Sequence, residues 1–245
     1  MTNPQFRLSS TEQEIIRKHR KGKDNQNILV IGDLHSPFIR EGYLEHCQKI
    51  YDKYNCNKVI FIGDVIDNHY SSYHEQDPDG FGAGEELDRA IHFIKPFYNS
   101  FPKADVCIGN HDAIICRKAF SSGISNRWIR DYDEVLGTHG WTFEDKFEYN
   151  GVLYVHGTGC SGKGAITRMT NWNTSIVQGH IHTESFIAWH CTKLIRHFSM
   201  QVGCGVDDRS YAMAYARHFT KKYIVSCGVV LDNGRLPIIE PMQLT

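Results

Sequence analysis

The stretch Ile28-Leu-Val-Ile-Gly-Asp-Leu-His35 joins an apolar run to a glycine and then to two side chains that bind metals. The run reads as a strand buried on both faces. The same design recurs along the chain. Val59–Ile62 leads into Gly63-Asp64-Val-Ile-Asp67, and Val106–Ile108 into Gly109-Asn110-His111-Asp112. Val152–Val155 leads into His156-Gly157, and Ile176–Val177 into Gly179-His180-Ile-His182. Strands of α/β folds point their C-terminal ends at a common crevice, where ligands bind. One site therefore receives Asp33, His35, Asp64, Asn110, His156, His180 and His182.

Neutral imidazole and carboxylate, with no thiolate, suit borderline or hard divalent ions. Manganese is the expected metal, with Fe(II), Zn and Ni as further fits. Seven ligands exceed what one tetrahedral zinc takes, so two ions are expected, with one carboxylate bridging them. Two metals roughly 3.5–4 Å apart form the clamp of phosphoryl hydrolases. They lower the pKa of a bridging water, neutralise the phosphate and hold attacking and leaving oxygens in line. Phosphoester hydrolysis is the predicted reaction.

The ordered set Asp-x-His, Gly-Asp-x-x-Asp, Gly-Asn-His-Asp, His, Gly-His-x-His spans Gly32 to His182. It resembles the calcineurin-like metallophosphoesterase superfamily. The resemblance implies that Asp33, His35 and His182 hold one metal, that Asn110, His156 and His180 hold the second, and that Asp64 bridges them. It makes His111 the catalytic histidine that protonates the leaving oxygen, with Asp67 orienting its ring. Protein Ser/Thr phosphatases of the superfamily follow the second Asp with Arg-Gly, where this chain has Asn68 and His69. Their third motif ends in Glu, where this chain has Asp112. Losing the planar guanidinium fork is not conservative. In both respects the chain is similar to the cyclic-nucleotide phosphodiesterase and nuclease branches, and to small bacterial and phage members.

The 245 residues suit one domain (residues 28–245) preceded by a polar extension (1–27), and 41% hydrophobic content is ordinary for a globular chain. A net charge of −1 gives no global field to attract nucleic acid. No apolar run is long enough to span a membrane. The basic start, Arg17 to Lys23, lacks the apolar core of a secretory signal. Eight scattered cysteines read as reduced thiols in a cytoplasmic protein.

Thr11 and Glu14 suggest a capping box opening a helix to about Arg20. Helical spacing follows over Glu41–Tyr54 and again from Gly84, where Pro96 is expected to end or kink the helix. Alternating strands and helices up to Gly109 predict parallel pairing. Beyond Phe143 come short strands: Lys146–Tyr149, Val152–Val155, His197–Val202, Tyr223–Leu231 and Leu236–Pro241, the last two joined at Asp232-Asn-Gly234. The predicted fold is an α/β four-layer αββα sandwich, two mixed sheets flanked by helices, as the resemblance also implies.

Other features carry less. Asp112 is expected to cap a helix starting near Ala113. Gly157–Lys163 mimics a phosphate loop, but Gly164 stands where Ser or Thr is required and the segment follows the candidate ligand His156 rather than opening a nucleotide-binding unit. Lys163 stays a candidate phosphate contact. Asp77-Pro-Asp-Gly-Phe-Gly fails as a calcium loop at Phe81 and Asp88. The loop from Asn68 to Gly84 leaves the metal site directly. It is expected to cap the substrate, His69 or His74 replacing the missing Arg and Tyr70 or Tyr73 stacking on a base. Basic groups at Arg17–Lys23, Lys193–His197 and Arg217–Lys222 are too dispersed to define a nucleic-acid track. Tyr211, Met213 and Tyr215 fit either a core or an oligomer contact, and the oligomeric state is open. The predicted activity is a dinuclear phosphodiesterase acting on nucleotides or nucleic acid. The rivals are a phosphomonoesterase on proteins or small esters, and a non-catalytic metal-binding scaffold.

Overall fold

A computed structural model describes residues 8–20, 26–73, 79–207, 209–210 and 222–243. His74, Tyr211, Met213, Tyr215, Asp77 and most of Arg217–Lys222 lie outside the described residues. Two mixed sheets stack face to face. The first runs β11(Leu236–Pro241)-β10(Ser226–Leu231)-β1(Ile28–Ile31)-β2(Lys58–Phe61)-β3(Ala104–Cys107)-β4(Trp141–Glu144). Within it β1 to β4 are parallel, and β10 and β11 are antiparallel additions. The second runs β5(Lys146–Tyr149)-β6(Val152–Val155)-β7(Ser175–Gln178)-β9(Arg196–Gln201)-β8(Phe186–Cys191), with β6, β7 and β9 parallel.

Alternation along the strands builds the layers. Ile28 and Val30 of β1, with Ile60 of β2, meet Tyr154, Val177, Phe198 and Met200 of the second sheet in a core between the sheets. Leu29, Ile31, Val59 and Phe61 face the other way, onto α2(Tyr43–Lys53) and α3(Ala83–Ser100) through Cys47, Ile50, Ile94 and Phe97. On the far side Met169 and Ile166 of α6(Gly164–Trp172) cover Leu153, Val155 and Ile176. The result is the four-layer αββα sandwich. Each fully buried Ile, Leu or Phe here is worth about 1.5–3 kcal/mol of transfer free energy.

Three local readings need correction. The capping box of α1(Ser10–Arg20) is Ser9 with Glu12, not Thr11 with Glu14: the Glu12 N–H donates to Ser9 Oγ at 3.2 Å and the Ser9 N–H to Glu12 Oε2 at 2.7 Å. Pro96 does not end α3. The helix continues to Ser100 because Phe97 and Phe101 are buried against Tyr51, Phe61 and Trp141, and packing outweighs the lost hydrogen bond. Asp112 does not cap α4(Ile114–Ser121), whose first residues have no side-chain cap. Its carboxylate turns inward instead, accepting the N–H of Ile66 at 3.1 Å and of Gly109 at 2.9 Å. Two buried backbone donors, each costing about 1–3 kcal/mol if left bare, outcompete a cap at the surface.

Strands β4 and β8, and helix α6, add to the elements expected. Lys193, at the tip of the β8–β9 hairpin, pairs with Glu12 at 2.5 Å and ties α1 to the second sheet. His197 is buried in β9, so it belongs to no basic surface track. None of the eight cysteines is joined in a disulfide, and five of them are buried. Among the described residues no helix is long and apolar enough to cross a membrane.

Candidate metal centre

The motif residues meet where β1, β2, β3, β6 and β7 end at their C-terminal edges. Their backbones interlock before any side chain is considered. The N–H groups of Leu34 and His35 both donate to the Asp64 carbonyl, at 3.1 and 2.8 Å. The Gly179 N–H donates to the His156 carbonyl at 2.9 Å, and the Gly205 N–H to that of Asp33 at 2.7 Å. His35, Asp64 and His180 are non-glycine residues with positive φ, at 46°, 46° and 71°. Such strain, about 1–3 kcal/mol apiece, persists where the surroundings force it and collects at functional sites. The motif glycines have a steric purpose. A Cβ at Gly109 would collide with the Asp64 carboxylate, and one at Gly179 with that of Asp33.

Among the described residues two clusters of motif ligands offer ligand atoms within 4.8 Å of one another, Asp33, His35 and His182 and then Asp64, His156 and His180, and a third group, His35, Asp67 and His111, does the same. His182 Nε2 lies 3.1 Å from Asp33 Oδ2, and the rings of His35 and His182 meet edge-on at 4.9 Å. In the second cluster His156 Nε2 is 3.1 Å from Asp64 Oδ2 and 3.0 Å from Asn110 Oδ1. His35 Nε2 is 3.5 Å from the same Asp64 oxygen, which therefore faces both clusters.

His111 stands beside them, its ring 4.5 Å from that of His35. Its N–H donates to Asp64 Oδ1 at 2.8 Å. Asp67 reaches the His111 ring through its main chain. Asp67 Oδ1 is engaged by His35 Nδ1 at 2.5 Å, and His111 Nδ1 sits closest to the Asp67 backbone carbonyl, at 2.6 Å. The carboxylate is 3.4 Å from that nitrogen. Asp67 thus braces a candidate ligand with its side chain and His111 with its main chain.

The substrate candidates separate. His69 is buried near Asp67, with Nδ1 3.9 Å from Oδ2, and its N–H donates to Glu86 Oε1 at 2.6 Å. Tyr73 is exposed on the surface between Arg117 and Lys118. Lys163 is exposed at the start of α6. Three residues that the sequence reading missed also shape the centre. Glu86 is buried and accepts the N–H groups of both His69 and Tyr70. In sequence it looks like an ordinary acid in the first turn of a helix. Asn68 donates its amide to the His111 carbonyl at 2.9 Å. Tyr223 meets the His182 ring edge-on at 4.9 Å, with no motif to announce it.

The donor chemistry tests whether metal fits. His156 Nδ1 is 3.1 Å from the Ile62 carbonyl and must carry the proton to bond it. In the neutral ring Nε2 is then a lone pair, facing the oxygens of Asp64 and Asn110 with no proton to share. His35 repeats the pattern: Nδ1 is committed to Asp67, and Nε2 is buried without a partner. Asp33 Oδ1 is likewise a buried, unpartnered acceptor. Converging lone pairs repel unless a metal ion or a proton lies among them, and a divalent-metal centre fits. The same carboxylates that suit a cation also draw protons: burial opposes charge on His156, yet Asp64 and Asp33 raise its pKa to about 9. Burial likewise opposes charge on His35, and Asp64 and Asp67 override it. Burial and then His156 push His180 down to about 4, against the opposing pull of Asp33 and Asp64. Burial and then His35 lower His111. Burial and Asp64 lift Asp112 to about 7.

A two-sheet sandwich carrying His and Asp clusters at its strand ends defines a metallophosphoesterase. The family pattern of calcineurin-like phosphoesterases matches residues 26–212, and the chain belongs to that family of metal-dependent phosphoesterases. No curated protein matches it significantly. Among solved structures, a metallophosphoesterase from Sphaerobacter thermophilus is similar with a TM-score of 0.51 at 11% identity, covering 90% of this chain and 89% of its own. That likeness shows the fold. An archaeal phosphodiesterase (TM-score 0.46, 14% identity, 88% of this chain and 99% of its own) is more distant. So is Vacuolar Protein Sorting 29 from Cryptosporidium parvum (0.44, 13%, 89% and 98%). Neither carries an argument beyond that.

Proposed function

We propose that the protein is a dinuclear metal-dependent phosphodiesterase acting on nucleotides or nucleic acid in the cytoplasm, with manganese as its metal. The observation that carries the reading is the convergence of His156 Nε2 and Asn110 Oδ1 with Asp64 Oδ2, the oxygen that His35 Nε2 also approaches at 3.5 Å. Asp33, His35 and His182 would hold one ion, Asn110, His156 and His180 the other, with Asp64 between them. Two bound cations supply charge neutralisation of the phosphate and a water of lowered pKa. The chain does the rest. Asp67 fixes the His35 ring through Nδ1, keeping Nε2 aimed inward. The Asp67 carbonyl holds His111 Nδ1, so that Nε2 can present a proton to the leaving oxygen.

The diester preference rests on Asn68. Its backbone is left-handed, with φ 52°, and its amide is spent on the His111 carbonyl. It therefore braces the catalytic histidine and offers no fork to a phosphate. A monoester, with its second ionisation near pH 6, brings nearly two negative charges at neutral pH, whereas a diester brings one. A site without the guanidinium suits the diester. The test compares bis-p-nitrophenyl phosphate with p-nitrophenyl phosphate in Mn²⁺ and in chelator. Diester turnover that the chelator abolishes is expected. Monoester turnover alone would make the protein a phosphatase.

A further inference from the structure

The segment that follows His111 and Asp112 has a composition unlike the rest of the chain. Between Ala113 and Arg130 there are four cations, Arg117, Lys118, Arg127 and Arg130, and no acid, the next being Asp131. In a chain of net charge −1 this is a local concentration of positive charge. Interleaved with the cations are bare apolar side chains. Phe120 on α4 is 82% exposed and Trp128, in the 3-10 turn Asn126–Trp128, is 85% exposed, with Ile115 and Ile124 also exposed. The turn packs beside α4. Tyr73, 60% exposed, joins the strip, with the Arg117 guanidinium 5.3 Å and the Lys118 ammonium 5.4 Å from its ring.

Beside this strip lies a cavity of about 380 Å³, whose lining includes Ile115 and Arg130 of the strip. The volume falls in the range of small-ligand sites. Asn68, which donates to the His111 carbonyl, and Asp112, which follows His111 in the chain, also line it.

We propose that the α4 face binds single-stranded nucleic acid and feeds its backbone to the metal centre. The feeding half rests on the phosphodiesterase reading; the binding half does not. The match is chemical. Cations alternating with exposed rings suit a polyanion whose π-faces are uncovered, and a duplex hides those faces. Helix α4 alone is about 12 Å long. Phe120 stands at the end of it away from His111, so a ligand touching both is a strand rather than a mononucleotide.

The test is fluorescence anisotropy with the metal-loaded full chain and end-labelled phosphorothioate dT20, which keeps its charges and resists hydrolysis. Binding is then read without turnover, so failure of the phosphodiesterase reading would leave the result standing. We expect dT20 to bind more tightly than a 20-bp duplex. The double variant Phe120→Ala/Trp128→Ala should weaken dT20 binding by about tenfold or more. Arg117→Ala/Lys118→Ala should flatten the salt dependence of log K by about 1.4, at 0.7 per lost phosphate contact. Thermal unfolding should not move in the aromatic variant, since both rings are exposed. Absence of dT20 binding at low salt, or unchanged affinity in both variants, would overturn the proposal. So would self-association, or capture by phosphatidylglycerol vesicles, that depends on Phe120 and Trp128 while dT20 is ignored.

Discussion

Asp64→Asn is expected to cost the protein metal and to lower diester turnover by about 10²–10³-fold, on the scale of removing one fixed electrostatic contributor from an active site. The change is nearly isosteric, so the acceptor for the His111 N–H, now 2.8 Å from Asp64 Oδ1, can be kept. What disappears is the charge at Oδ2, the oxygen 3.1 Å from His156 Nε2 and 3.5 Å from His35 Nε2. It lies within reach of a histidine from each cluster. Metal content by mass spectrometry and turnover at saturating Mn²⁺ check the prediction together. A variant that keeps full metal content and full activity would remove Asp64 from the bridging position.

His111→Ala should separate metal binding from chemistry. The ring bonds the Asp67 carbonyl while the backbone N–H bonds Asp64, and none of the buried lone pairs described above belongs to the ring. Both ions should stay. The loss should depend on the leaving group. A ribose or alkyl oxygen departs poorly without a proton, so nucleotide diesters should lose about 10²–10⁴-fold, the range of general-acid catalysis. p-Nitrophenolate leaves without protonation, and its diester should lose far less. Equal losses on the two substrates would make His111 a positioning residue rather than the acid. Asp67→Asn should behave otherwise, because its carboxylate bonds His35 and the change should reduce metal affinity by about 10–100-fold.

The convergence of these side chains was legible because they follow buried strands whose ends topology brings together, and because Gly63, Gly109 and Gly179 stand where His156, Asp64 and Asp33 need room. Four-residue runs such as Ile28–Ile31 and Val152–Val155 are apolar on both faces, which only a covered sheet explains. Strand β8, at the edge of its sheet with its last three residues exposed, has no such signature. The extension of α3 through Pro96 was hidden because the packing of Phe97 decides it, and packing is not local. The roles of Asp112 and Glu86 were hidden for a related reason. Both satisfy backbone donors distant in sequence, a demand visible only once β2, α3 and the loops after β2 and β3 are in place. The strip from Ala113 to Arg130 escaped notice because four cations over eighteen residues look like a solvated face until Phe120 and Trp128 are seen to be bare.

The central claim is a two-ion centre, and the most direct measurement is the number of Mn²⁺ ions bound per chain, with their positions located by anomalous diffraction. Two ions are predicted, one among Asp33, His35 and His182 and one among Asn110, His156 and His180, with Asp64 touching both. A single ion at saturating Mn²⁺, or two that leave His35 and His156 unligated, would contradict the account.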